Sequence, residues 1–302
     1  MSHPLQHPAS TPLLQRVVDA FKTDKLFISR DRHIVFVCGG DPDGDFARPR
    51  FLAYANTQIR EIRPFLAEAA QKDYLTSGTP IFSNIAIFEG LIAKIADCVV
   101  LFSESPGSFA ELGYFAQAKG IKNKLLVVLD QQYQTPDSFL TIGPIDLINR
   151  ASLFKPALYL SLSDDAEFQH IKNRIIERLP VRNRQKFQYK RYPDLPLQEK
   201  MYAISTIVDV FRIIDFPGIE HVFKAIFGNR KINELKRLLS ILVAVDQLRR
   251  VGDDLEYFVT APGARPFMEF VGLDISSLRL QVTAHYQSHA KPLIEILERA
   301  AA

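Results

Sequence analysis

Three short apolar runs constrain the fold of this chain more than any other feature: His33-Ile-Val-Phe-Val-Cys38, Asp97-Cys-Val-Val-Leu-Phe102 and Lys124-Leu-Leu-Val-Val-Leu129. Runs of this length cannot cross a membrane. They also lack the alternating polar positions of a half-exposed strand, so they predict strands buried on both faces. Ala157-Leu-Tyr-Leu160 reads as a fourth strand. The stretches between them have helical spacing at about 49–72 (bent near Pro64), 83–96 and 109–119, with a further helix at 164–179. Alternating strands and helices predict an α/β fold, a Rossmann-like parallel sheet flanked by helices on both faces. In such sheets a ligand lies outside the carboxyl ends of the strands. That rule singles out the loops 39–48 and 103–108.

With 302 residues the chain has room for two domains, and 47% hydrophobic with 24% charged residues excludes global disorder. The net charge of +3 is too small to define a nucleic-acid binder, and it is localised. Segment 181–196 carries Arg182, Arg184, Lys186, Lys190 and Arg191 against Asp194 alone, interleaved with Phe187, Tyr189 and Tyr192. Such a strap suits nucleic-acid phosphates or a partner protein, with a solvated connector as the alternative. Cys38 and Cys98 lie in apolar runs without metal-ligand spacing, so buried reduced thiols and no metal site are expected. The opening MSHPLQHPASTP is not a secretory signal, and no apolar stretch reaches eighteen residues. These features predict a cytoplasmic protein with no membrane contact.

The expected organisation is an N-terminal helical extension at 1–30 (helix at about 11–27), an α/β domain at 31–180, a basic linker at 181–196 and a C-terminal domain at 197–302. Helices at about 197–214, 219–227 and 231–247 precede a hairpin around Gly252-Asp-Asp254. That order predicts a winged-helix domain, with Lys236 and Arg237 as candidate nucleic-acid or partner contacts. A last helix at 284–300 is available for packing or for a homo-oligomer contact.

The segment best suited to chemistry is Phe102-Ser-Glu-Ser-Pro-Gly-Ser-Phe-Ala-Glu-Leu-Gly113. It leaves a buried strand, turns at Pro106-Gly107 and opens a helix whose N-terminus favours an anion. Glu111 then falls beside the crevice. Ser108-Phe-Ala-Glu111 is equally a capping box, with Ser108 capping the helix and Glu111 reaching back to its backbone. The local pattern leaves both roles open.

The strings Ile34-Val-Phe-Val-Cys-Gly-Gly-Asp41, Ala96-Asp-Cys-Val-Val-Leu-Phe102 and Glu104-Ser-Pro-Gly-Ser-Phe-Ala-Glu-Leu-Gly113 resemble the nucleoside deoxyribosyltransferase-like effectors encoded by bacterial retrons. The resemblance runs along most of the chain, because such effectors also carry a C-terminal winged-helix domain. It implies an N-glycosidase with Glu111 as catalytic nucleophile and NAD or another nucleotide as substrate, with no cofactor. It also implies a toxin held inactive by a reverse transcriptase and its RNA–DNA hybrid, acting in antiviral defence. Candidate substrate contacts are Gly39, Gly40, Asp41, Ser105, Pro106, Gly107 and Ser108. Glu89 is either a second carboxylate or a surface residue. The transferases carry an acidic residue a few positions before the nucleophile. Here Glu104 and Ser105 occupy that region, which leaves hydrolysis and transfer both open. The competing reading is a non-catalytic nucleotide-sensing or nucleic-acid-binding protein.

Overall fold

A computed structural model describes residues 4–41, 44–70, 84–181, 184–252 and 256–301. The chain divides into two compact units, one formed by 32–181 and the other by 1–31 together with 182–302. Helix α1 (Thr11–Lys22) and strand β1 (Leu26–Ile28) belong to the second. Arg182, the final residues of the expected 49–72 helix, Ser83 and the Asp253-Asp254 turn lie outside the described residues.

The first unit holds a five-stranded, wholly parallel sheet: β2 (His33–Cys38), β3 (Ile62–Phe65), β4 (Cys98–Ser103), β5 (Leu125–Asp130) and β6 (Leu158–Leu160). Their spatial order is β3-β2-β4-β5-β6. The chain moves outward from β2 in one direction and then returns across it, so the connections diverge between β2 and β4. Loops leave that point on opposite faces and open a crevice beyond the strand ends. Every residue of β2 and β4 is buried. This follows from helices on both faces and explains the unbroken apolar runs. Val35, Val37, Val100, Phe102 and Val128 point to one face, into a core with Phe51 of α2 (Ala47–Gln58) and Phe168, Ile171 and Ile175 of α6 (Phe168–Arg178). By the two-residue period of a strand, Phe36, Cys38 and Leu101 point the other way. There α3 (Ile85–Ile95) contacts β2 and α4 (Pro106–Gln117) contacts β4. A short α5 (Asp146–Ala151) completes this unit.

Strand β3 corrects the expected continuous helix at 49–72. The helix stops at Gln58, and Ile62-Arg-Pro-Phe65 forms an edge strand whose outer residues alone are buried. Pro64 has no N–H for a ladder, and an edge is where a sheet tolerates it.

In the second unit α7 (Leu197–Phe211) is the central helix, with an unbroken buried stretch from Lys200 to Val208. It is followed by β8 (Ile214–Asp215), α8 (Phe216–Phe227), α9 (Ile232–Ala244) and the hairpin β9 (Leu248–Val251) with β10 (Tyr257–Thr260). Strand β10 pairs with both β8 and β9, giving an antiparallel sheet in the order β8-β10-β9. A second antiparallel sheet joins β11 (Met268–Phe270), β1 and β7 (Gln185–Lys186). The N-terminal segment and the basic strap are thus structural parts of one unit. The single helix expected at 284–300 is two, α10 (Ile275–His289) and α11 (Lys291–Ala301), broken at Ala290 before Pro292. Among the described residues no helix is long and apolar enough to cross a membrane.

A candidate active site at the strand crossover

The turn after β4 is organised by serines. Ser105 is the N-cap of α4, its hydroxyl accepting the Ser108 N–H at 3.3 Å, and Pro106 follows at the first helical position, where a missing N–H costs nothing. The buried Ser108 hydroxyl in turn accepts from the backbone N–H groups of Glu104 and Ser105, each at 2.9 Å. The capping box is therefore Ser105 with Ser108. This differs from the expected Ser108–Glu111 box and starts the helix one turn earlier. Glu111 falls in the second turn and is released from capping. Ser108 itself is consumed by the turn, while Pro106 and Gly107 are exposed.

Glu104 has a separate task. Its two carboxylate oxygens accept the backbone N–H groups of Ala47 at 2.8 Å and Arg48 at 3.2 Å. It thereby caps α2, which has no acidic residue in its own first turn. The interaction ties the loop after β4 to the loop after β2 across the crossover. An arginine in the first turn of a helix opposes the helix dipole, and Glu104 offsets that locally unfavourable charge.

Gly39 and Gly40 serve packing as well as the crevice. A Cβ on Gly39, at φ +151°, would lie 2.8 Å from both Cβ and the carbonyl oxygen of Phe102, and 3.4 Å from Cβ of Arg48. On Gly40 it would strike the ring of Phe46 at 2.5 Å. Asp41 is exposed beyond them.

Helices α3 and α4 lie side by side where Tyr114 approaches Gly90, whose added Cβ would sit 3.0 Å from the tyrosine hydroxyl. Glu89 and Glu111 come from these adjacent helices. Both are partly buried, and Glu111 Oε2 is buried with no hydrogen-bond partner among the described residues. Desolvation, then the neighbouring Glu89 charge, raises the Glu111 pKa from 4.5 to about 8 despite Arg48. Desolvation and then Glu68 raise Glu89 to about 7. Arg48 is buried, and its Nη2 lies 2.9 Å from Glu68 Oε1. The thiol of Cys38, beneath this group on β2, is pushed well up by burial and then by the Glu111 charge. The structure thus gathers Glu89 and Glu111 with two residues that the sequence did not single out, Arg48 and Glu68. The lone signal in the sequence was an arginine at a helix start. Carboxylates with strongly raised pKa values at a strand-end crevice are the expected signature of acid–base or nucleophilic chemistry.

The strap residues lie in the other unit. Phe187 and Tyr192 are buried there, and Tyr189 stacks on Phe227 while donating to the Ile226 carbonyl. Tyr192 donates to Glu234, which also binds the buried Lys200 at 2.9 Å. Burial of Phe187 and Tyr192 gives those two a packing role in place of stacking on bases, while Tyr189 stays exposed on its open side. Arg184 pairs with Glu269 and Lys186 with Asp24; both cations are exposed, as is Arg191, and Lys190 is half-buried. Lys236 sits over the Phe216 ring, and Arg237 is half-buried on the same helix.

Residues 45–250 match the family described as STM3845 retron effector protein. Two Escherichia coli relatives, of retrons Ec73 and Ec86, are each provisionally named a ribosyltransferase/DNA-binding protein. The first is 32% identical over 124 residues, 40% of this chain and 39% of the relative. The second is 30% identical over 116 residues, 38% of this chain and 37% of the relative. The chain thus spans about two fifths of the length of these curated relatives.

Proposed function

This chain belongs to the STM3845 retron effector family, and from that premise we propose that it cleaves the N-glycosidic bond of NAD or a related nucleotide, with Glu111 as nucleophile. One observation carries the reading: the Glu111 carboxyl is partly buried at the crossover crevice, freed from capping, with one oxygen lacking any described partner.

In the proposed reaction the nucleotide lies across the strand ends, against the Gly39-Gly40 backbone and the Pro106–Ser108 turn, with Asp41 orienting a ribose hydroxyl or the base. An ionised Glu111 oxygen attacks the anomeric carbon. The carbon–nitrogen bond breaks with its electron pair going to the base. In NAD that nitrogen is cationic, so the base departs neutral and no proton is required. A neutral purine requires one, and in this reading the raised pKa of Glu89 on the adjacent helix suits it to donate that proton. Water then opens the glycosyl ester and restores Glu111 with overall retention. A sugar acceptor in place of water gives transfer, the chemistry in the names of the two relatives.

The second unit is read as a winged helix on its order of helix, strand, two helices and hairpin. Lys236 and Arg237, together with Arg182, Arg184, Lys186, Lys190 and Arg191 of the strap, are proposed to face a reverse transcriptase and its RNA–DNA hybrid. That complex would hold the enzyme inactive as part of antiviral defence.

The test is base release by purified wild type and Glu111→Gln, alone and with the retron partners, from NAD and a panel of nucleotides. Release of nicotinamide or free base by wild type only is expected. Equal release by both proteins, or nucleotide binding without release under every condition, overturns the reading; the latter favours a nucleotide sensor.

A further inference from the structure

The reaction above leaves a cavity of about 360 Å³ in the second unit without a task. Its walls come from four places in the fold. The end of α7 supplies Asp209 and Arg212, the β9–β10 hairpin Arg249 and Thr260, α10 Arg279, and α11 the apolar Leu297. Three arginines thus share the lining with a single carboxylate. Arg279 donates to Asp209, which leaves Arg212 and Arg249 with no hydrogen-bond or ion-pair partner among the described residues. Arg249 is half-buried. Its Nε, the Nε of Arg279 and the Oγ1 of Thr260 are all buried without a partner among the described residues. Donors on charged groups that have lost water and gained no acceptor are costly. An anion in the cavity would supply the missing acceptors.

Arg212 adds an independent sign. It follows the last residue of α7 at φ +63° and ψ −45°, with the Ile213 N–H donating to the Phe211 carbonyl at 2.7 Å. That is a γ-turn of the rare, strained kind, in a region of backbone space that favours glycine. A cation complements the carbonyl end of a helix from any position of its last turn, so the helix dipole does not require an arginine at this one. Strain of this kind collects at ligand sites.

We propose that this cavity binds a small phosphorylated molecule, held through a phosphate monoester by Arg212, Arg249 and Arg279. Planar guanidinium forks match phosphate oxygens in pairs. Three arginines against Asp209 leave a surplus of two positive charges in the lining. A phosphate monoester carries about −1.5 to −2 near pH 7 and balances that surplus; a carboxylate carries half as much. The volume lies at the small end of the roughly 300–1,000 Å³ of small-molecule sites, which suits a mononucleotide. The site belongs to a different unit from Glu111 and does not depend on the reaction proposed there.

Isothermal titration of the full chain with AMP, pyrophosphate and adenosine tests this. AMP and pyrophosphate should saturate a site, and adenosine should bind it at least tenfold more weakly. Arg249→Gln and Arg212→Gly should each weaken AMP by about ten- to a hundredfold, as expected for losing a charge-assisted hydrogen bond. Arg212→Gly also relieves the turn, so its thermal midpoint without ligand should equal or exceed that of wild type. It keeps the test decisive should Arg249→Gln fold poorly. Neither variant touches the strand-end crevice, so AMP affinity unchanged in both places the nucleotide elsewhere and overturns the proposal. Equal affinity for AMP and adenosine overturns it too, as does wild type that binds neither AMP nor pyrophosphate. A 5′-phosphorylated oligonucleotide separates the two sources of a phosphate monoester. If that strand binds through Arg212 and Arg249 while AMP does not, the ligand is a strand end and the small-molecule site is refuted.

Discussion

Replacing Glu111 by glutamine should stabilise the protein, and the gain should depend on pH in a direction set by burial. In the unfolded chain Glu111 titrates as an ordinary glutamate; in the fold its pKa is raised from 4.5 to about 8. The native state therefore keeps a proton that the unfolded state releases, and stability falls as pH rises between those values. Each pKa unit corresponds to about 1.4 kcal/mol. Near pH 7 the full difference would approach ~3 kcal/mol, and partial contact with solvent reduces it to about 2 kcal/mol. Glutamine has the same shape without the charge. The variant should match wild type within about 0.5 kcal/mol near pH 5 and exceed it by about 2 kcal/mol or more near pH 8. Urea unfolding at a series of pH values, followed by a probe in the 32–181 unit, reads this directly. A stability difference that does not change with pH would refute the reasoning. So would a variant less stable than wild type at high pH.

Three further outcomes follow from the same geometry. Gly39→Ala should destabilise the sheet unit by about 2–4 kcal/mol in urea unfolding, since its Cβ meets the Phe102 backbone at a φ that favours glycine; a loss under about 0.5 kcal/mol would contradict the packing described. With NAD, whose leaving group needs no proton, the rate should climb with pH to a plateau above about 8, where Glu111 is ionised. With a neutral purine nucleotide, which needs Glu111 ionised and Glu89 protonated together, the rate should peak between about 7 and 8 and fall at higher pH, and identical profiles for the two substrates would remove Glu89 from the reaction. Replacing Arg184, Lys186, Lys190 and Arg191 together should weaken binding to the reverse transcriptase–nucleic acid complex and flatten its dependence on salt; unchanged binding in a salt titration would leave the strap a structural element only.

The legible and illegible parts of this molecule divide by range. Strands β2, β4 and β5 were readable because burial on both faces leaves a continuous apolar signature. Strand β3 was not, since an edge strand needs little apolar surface and Pro64 imitates a helix bend. The start of α4 was misread because Ser108 and Glu111 satisfy a capping pattern. Yet Ser105-Pro106 satisfies the stronger one, an N-cap serine followed by proline at the first helical position. Glu111 and Glu89 could be nominated from sequence, one within a motif and one with a surface role as its alternative. The Arg48–Glu68 pair and the capping of α2 by Glu104 could not. Both join residues on different elements: Arg48 meets Glu68 because β3 pairs with β2 on one side, and Glu104 reaches α2 because β4 pairs with β2 on the other. In the second unit α7, α8 and α9 followed their periodicity, while α10 and α11 replaced the one helix expected at 284–300. Phe187 and Tyr192 of the strap read as available for bases, and long-range packing buries them.

The most direct test of Glu111 as nucleophile is rapid-quench mass spectrometry of the peptide containing it, during turnover of NAD or the best nucleotide substrate. One substrate-derived glycosyl ester on Glu111, absent from Glu111→Gln, is the predicted result. Base release that proceeds with Glu111 unmodified, and that persists in the glutamine variant, would contradict the account.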